Sequence, residues 1–486
     1  MCGFMPPYAM RSCMVRLSMK RYDHGGLSWP QVGWSIERTD STLMIFEGFG
    51  ESESSEARIG WTRREPDGEY VALSSFFADS INFTCGWANT TDTHPEGGFI
   101  ACGTTDPEGV AHALVWRFDA NGDSLWSRQL FNDSAYSSLG WMAKGLEDGS
   151  LVAVGTVAPL GQNGNVFLVK LDANGNIDWT RTYGSSAVDR GYSVDIMPDG
   201  GFTIGGHTMG FGAGALDTYV IRTDSAGNQL WYRRFGTEYD DCVGNVTVAQ
   251  NGDILVSGCK TMYMVGINTY LRSQAIRLTP DGDVIWDHLF GPPDILNGRL
   301  TAKEFSDGSF VAPGDQINTA TGYPHGSLLK YSADGDSLWM RSYTHPSVSG
   351  WLDWHELRDV VIEPDGGVTA VGYLDDLTNQ DLWVIKVDSF GCLVPGCQQF
   401  DNIAEKGLAL NVLVYPNPTQ GRIFLSFRSA YRPRVSSSCS ISPGRSCGAF
   451  NPAAVAWRSI WTSANNRRGC SCCATRTRKG RAGRAR

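Results

Sequence analysis

Residues 191–236 read GYSVDIMPDGGFTIGGHTMGFGAGALDTYVIRTDSAGNQLWYRRFG, and this stretch decides the fold. Four apolar runs, "YSVDI", "GFTIGG", "TYVIRTD" and "QLWYRRF", are separated by turn signals. Their alternation and their β-branched and aromatic content point to strands and not helices. The breaks "PDGG" and "DSAGN" hold Gly beside Asp or Asn, which admit the positive φ of tight hairpins. The stretch is therefore read as four antiparallel strands.

The unit recurs along the chain. "EGGFIACGTT", "EDGSLVAVGTV", "PDGGFTIGGHT", "QNGDILVSGCK", "SDGSFVAPGDQ" and "PDGGVTAVGYL" place turn glycines at 97, 149, 200, 252, 308 and 366. A weaker first copy, "GWSIERTDSTLMIFEG" from Gly33, parallels the segment from Gly191. A second phrase, as in "VWRFDANGDSLW" and "LVKLDANGNIDW", has glycines at 68, 122, 175, 227, 282, 335 and 391. Units of four strands at such a period are blades. The chain is expected to be all-β, a seven-bladed β-propeller over residues 33–400, with six blades as the alternative.

Around the propeller the remaining segments read differently. Residues 1–32 are expected to be irregular, 401–409 a linker, 410–427 a short β segment, and 428–486 a disordered basic tail. That tail holds 13 Lys and Arg and no acid, which leaves 28 basic against 51 acidic residues, a net −23, in 1–427. An acidic body of this size repels phosphate backbones, so nucleic acid is not an expected partner. No apolar stretch is long enough for a membrane-spanning helix. The abrupt change at Arg428 is what a shifted reading frame would produce. A genuine basic interaction tail is the alternative, and the CxCC at Cys470, Cys472 and Cys473 lacks the second ligand pair of a zinc site.

The repeats resemble those of secreted bacterial proteins in which "DGGF-x-I-x-G-x-T" precedes "K-x-D-x-x-G-N-x-x-W-x-R-x-Y-G"; "KLDANGNIDWTRTYG" from Lys170 fits well. The DxxGxxxW element also resembles the tryptophan-docking motif of pyrroloquinoline-quinone propellers. Those enzymes have eight blades and an adjacent-cysteine disulfide, whereas the adjacent pair here, Cys472–Cys473, lies outside the repeats. "LNVLVYPNPTQGRIFLSF" from Leu410 resembles the opening of the type IX secretion C-terminal sorting domain, with Tyr415, Pro416, Asn417, Pro418, Thr419 and Gly421 matching and a strand at Ile423–Phe427. This resemblance implies export to the cell surface or medium through the type IX machinery. No signal peptide opens the sequence as written, since Pro6, Pro7, Arg11, Arg16, Lys20 and Arg21 interrupt the first residues; a start further upstream is expected, with a cytosolic chain as the alternative. Cys392 and Cys397 are spaced to close a small loop in an exported protein, and Cys102 and Cys259 read as buried thiols.

No catalytic motif is present: no HExxH, GxSxG, Walker loop or GxGxxG opening a helix. The recurring Trp126, Trp179, Trp231, Trp286 and Trp339 read as inter-blade core. Arg128, Arg181, Arg233 and Arg341 are expected to pair with acids on neighbouring turns. No cofactor is expected. Calcium is the one metal the "DANGNID" run at Asp172 leaves open, but it lacks the sixth-position Gly and twelfth-position acid of an EF-hand, and an Asx-stabilised hairpin fits better. Inter-blade loops carry Asp133, Asp189, Asp240, Asp241, Asp294, Asp353 and Glu356, either as turn caps or as a negative ring around the channel. The enlarged loop "SGWLDWHELRD" gathers Trp351, Trp354, His355 and Glu356, either tucked beneath the blade or set as a sugar platform. Candidate ligand residues are therefore Trp351, Trp354, His355, Glu356, Asp240, Asp241 and Asp189. The expected function is a secreted or surface binding protein for a glycan or protein. A polysaccharide lyase or hydrolase is the alternative, and a structural envelope component a further one.

Overall fold

The computed structural model describes residues 18–22, most of 32–397, and four short strands beyond. Seven antiparallel sheets of the propeller occupy 32–76, 83–129, 136–183, 189–235, 245–290, 295–343 and 354–387, taken below as blades 1 to 7. Blades 1, 3, 4 and 5 are simple four-strand meanders, and in blades 2 and 6 the innermost strand is broken into two pieces. The seven-bladed propeller expected from the repeats is thus the fold.

Two kinds of hairpin turn recur because a short polar side chain, most often Asp, closes them. In the first turn of blade 4, the Asp199 carboxylate accepts the Gly201 N–H at 2.9 Å, while Gly200 sits at φ +78°. In the second turn of blade 3, Asp172 Oδ1 accepts the N–H groups of Asn174 and Asn176 at 2.9 and 2.8 Å. Such Asx turns supply the backbone with an acceptor inside the loop. This is how the calcium-like runs are organised.

The recurrent tryptophans join consecutive blades. Trp126, Trp231, Trp286 and Trp339 donate their indole N–H to Ala173, Pro280, Ala333 and Ser389 carbonyls on the second turn of the following blade, at 3.0–3.3 Å. Each ring lies on that turn's glycine so closely that a Cβ on Gly227 would stand 2.8 Å from Trp179. The arginines two positions later stand near neighbouring-turn acids. Hydrogen bonds from Asn176 and Asn228, and then the Arg128 and Arg181 charges, hold Asp172 and Asp224 below the usual carboxylate range. These arginines also bond to carbonyls. Arg233 Nε and Arg341 Nε donate to the carbonyls of Gly282 and Phe390 at 2.9 and 2.8 Å, and Arg181 and Arg233 lie over Trp179 and Trp231.

Apolar packing follows the same nearest-neighbour logic. Seven buried clusters each join two consecutive blades, and the one containing Ile36, Leu43, Val371 and Leu382 closes blade 7 onto blade 1. Blade 7 has three strands from its own repeat; its outer strand is Ser18–Tyr22, antiparallel to Gln380–Val387 with Ser18 opposite Lys386. Within the segment 1–32 expected to be irregular, residues 18–22 are thus a strand. After Gly391 the chain turns into the Cys392–Cys397 disulfide loop instead of returning as a fourth strand, so the edge is open to the N-terminal segment. Cys102 is a buried free thiol, but Cys259 is disulfide-bonded, against expectation.

Residues 398–486 form a second unit. In it, Asn411–Tyr415 pairs with Phe424–Arg428. Within the tail expected to be disordered, Ser437–Cys439 pairs with Cys472–Ala474. Backbone pairing of these short segments does not need the apolar periodicity by which strands are read from sequence. Pro416, Asn417, Pro418 and Gly421 lie outside the described residues.

Candidate functional site: the channel mouth

The innermost strand of each blade presents its free edge to the central channel. In four blades this strand carries a β-bulge at the same level: between Gly33 and Ser35, Gly140 and Met142, Gly191 and Ser193, and Leu357 and Asp359. The extra residues are Trp34, Trp141, Tyr192 and Arg358. A bulge on an edge strand takes its residue out of the ladder and re-aims the side chain. The preceding glycines are required by close packing, since a Cβ on Gly140 would stand 2.3 Å from the Gly103 carbonyl oxygen. Gly-Trp and Gly-Tyr thus form a local device, with the glycine admitting the neighbouring blade and the aromatic residue displaced from the ladder.

These residues make contacts in two separate groups. The Arg358 guanidinium lies 4.5 Å from the Trp34 ring centroid and 5.0 Å from that of Tyr373. Its Nε is 3.2 Å from Glu356 Oε1, and the Tyr373 hydroxyl donates to Glu356 Oε2 at 3.0 Å. Burial and then the Glu356 charge raise the Tyr373 phenol above its usual range. On the other side, Trp141 and Tyr192 meet at 4.7 Å between centroids, and Tyr192 meets His207 at 5.3 Å. Burial, then the Arg190 charge, pushes His207 down to about 4, so its imidazole is neutral at pH 7. The indole N–H groups of Trp34 and Trp141 have no hydrogen-bond partner among the described residues.

Farther along the same strands runs a charged belt. Glu37, Asp92, Lys144, Asp195 and Lys303 each stand two residues before the residue that opens the first hairpin turn, namely Thr39, His94, Leu146, Met197 and Phe305. Lys144 Nζ lies 3.6 Å from Asp195 and 4.0 Å from Asp92, and Lys303 Nζ lies 3.8 Å from Asp359. Asp359 also accepts Ser35 Oγ and the Ile36 N–H, tying blade 7 to blade 1. Burial pushes the Glu37 carboxyl up to about 8, with Lys303 opposing and Asp92 and Asp359 adding to the rise.

The residues singled out from sequence fall in several places. Trp351, Asp353 and Asp294 lie outside the described residues. Trp354 is exposed, His355 is buried with Nε2 accepting the His345 N–H at 3.0 Å, and Glu356 joins the mouth through Arg358 and Tyr373. Asp189 is fully buried and accepts the Ser185 N–H and Oγ. Asp241 accepts Thr237 N–H at 2.5 Å and Thr261 N–H at 2.7 Å, while the Asp240 carbonyl accepts Thr261 Oγ1. Among the described residues no group of three His, Cys, Asp or Glu is arranged to hold a metal. Sequence reasoning missed Trp34, Trp141, Tyr192 and Arg358; the signal that was available is the G-W or G-Y opening of "GWSIE", "GWMAK" and "GYSVD".

No family model matches the sequence, and no curated protein does. Several solved structures resemble it at low identity. The WD40 domain of Neurospora crassa Pan2 is 11% identical, covering 76% of this chain and 94% of that one, with a TM-score of 0.42. The polysaccharide lyase Uly1 is 10% identical over the same shares, with a TM-score of 0.45. The β-propeller domain of the Pyrococcus furiosus Trilobed protease is 11% identical over 75% and 96%, with a TM-score of 0.41. At these identities the likeness is one of fold and decides nothing about activity.

Proposed function

We propose that this chain is an exported or surface-bound binding protein that takes a glycan at the mouth of its propeller channel. The observation that carries this reading is the set of Trp34, Trp141 and Tyr192, raised by bulges at one level of three blades, with the Arg358–Glu356 pair against Trp34. Aromatic ring faces pack on the C–H face of a sugar, and the charged pair offers both donors and acceptors to its hydroxyls. Export is supported by the Cys392–Cys397 bridge and the disulfide-bonded Cys259, which belong to oxidising compartments. It is supported too by the sorting-domain resemblance at Leu410–Phe427, which would make the type IX machinery a partner.

A second reading, an enzyme acting on the same glycan, is favoured by the convergence of Tyr192, His207 and Arg190 at that mouth. A neutral imidazole beside a phenol is a group that exchanges protons. Titration calorimetry over a panel of neutral and acidic glycans tests the first reading. Trp141→Ala is expected to weaken binding by about tenfold or more, with the melting temperature nearly unchanged. Glycan binding that ignores Trp34→Ala and Trp141→Ala alike contradicts it. Product release from the bound glycan, abolished by His207→Ala, would establish the second.

A further inference from the structure

Blade 5 departs from the repeat in its middle hairpin. Its two central strands, Ile254–Val265 and Asn268–Leu278, have 12 and 11 residues, against 7 and 7 for Phe202–Thr208 and Asp217–Thr223 in blade 4. Four to five extra residues per strand extend the ribbon by about 15 Å. In a four-strand meander the connection between second and third strands emerges on the same face as the connection into the next blade. The arm therefore rises from the mouth face, one blade on from Tyr192 and His207.

Beyond the blade body the arm is a two-stranded ribbon. The innermost strand of blade 5 pairs with it only as far as Ser257, and the outermost only from Ser273. Such a ribbon is marginal alone, and its root is held. Asp241 accepts the Thr261 N–H, the Asp240 carbonyl accepts Thr261 Oγ1, and Arg272 donates to the Gly291 carbonyl at 2.7 Å. Two acids that stood out in the sequence thus position the arm.

Toward the tip, Met262, Tyr263 and Met264 are 39–46% exposed. Tyr263 and Tyr270 are cross-strand partners whose rings stack at 4.5 Å and 19°. Lys260 and Arg272 are cross-strand partners two pairs nearer the blade, beyond Thr261 and Leu271. Like charges directly opposite destabilise a ladder, so a bridging anion would be favoured there. Against a body of net −23, these two cations stand beside the stacked tyrosine pair.

We propose that the arm is a second platform for the same ligand, stacking further sugars on Tyr263 and Tyr270 and taking their acidic groups at Lys260 and Arg272. The ligand class is then an extended acidic polysaccharide, not a short terminal glycan. This inference rests on the mouth's being a glycan site. The test titrates the full chain with digalacturonate, long-chain polygalacturonate and long-chain dextran. Tyr263→Ala with Tyr270→Ala is expected to weaken polygalacturonate about tenfold and leave digalacturonate unchanged, and Lys260→Gln to flatten the salt dependence of polygalacturonate binding. Both tyrosines are outside the propeller core, and an unchanged melting curve confirms the fold of each variant. Undiminished polygalacturonate affinity in the double variant overturns the inference. So does dextran binding without polygalacturonate binding, which leaves the mouth reading standing. Binding of none of the three overturns the inference, whereas loss of digalacturonate in Trp141→Ala marks the mouth reading as sound independently of the arm.

Discussion

The two faces of the propeller are built on opposite terms. On the turn face one solution recurs: a turn closed by an Asp, Thr or Ser side chain, a glycine at positive φ, and, in blades 3, 5, 6 and 7, the preceding blade's tryptophan lying on it with its N–H bonded to a carbonyl. On the mouth face the blades differ. Bulges displace a tryptophan in blades 1 and 3, a tyrosine in blade 4 and an arginine in blade 7, and blade 5 grows an arm. A repeat that must fasten to its neighbours keeps its contacts, while the face freed from that task diversifies.

The largest effect that would break this comparison is expected on the turn face. Gly227→Val places a β-branched residue at φ +77° with its Cβ 2.8 Å from Trp179, and is expected to cost about 4 kcal/mol in denaturant unfolding. A cost below about 1 kcal/mol would show that the stacked turns do not hold the blades. Trp231→Ala is expected to cost about 3 kcal/mol by the same measurement, from lost packing and a lost hydrogen bond.

Between the faces lies the charged belt, where pH sharpens the picture. Glu37 binds a proton in the folded state up to about 8, whereas the unfolded chain releases it near 4.5. The folded protein is therefore penalised progressively as pH rises between those values, and fully above them. Glu37→Gln is expected to remove that slope and to stabilise the protein at pH 9 by about 2 kcal/mol, read from paired thermal melts across pH. A parallel offset with no change in slope would contradict the assignment. Smallest in stability is the mouth itself: Trp34→Ala and Trp141→Ala, which remove half-buried rings, are each expected to change unfolding by about 1 kcal/mol or less.

The same contrast explains what could be read beforehand. The turn face was legible because its residues recur: "DANGNIDW" and "PDGGF" announce Asx turns, strands and docking tryptophans in blade after blade. The belt was not, because Glu37, Asp92, Lys144, Asp195 and Lys303 share a position but not one residue type or even one sign of charge. Bulges at Trp34 and Tyr192 depend on ladder register, and the glycines before them hint at it without stating it. Ser18–Tyr22 is invisible locally, since its partner is Gln380–Val387 at the far end of the propeller. Asp189 and Asp241 were conspicuous as loop acids, yet their carboxylates hold their own loops and, for Asp241, the arm.

The most direct measurement pairs one variant from each face, titrating Trp34→Ala/Trp141→Ala and Trp231→Ala with the tightest-binding glycan and melting both. The mouth variant is expected to lose binding while melting like the parent protein, and the turn-face variant to melt lower while each folded molecule binds as before. Binding lost through Trp231 and retained without Trp34 and Trp141 would contradict the account.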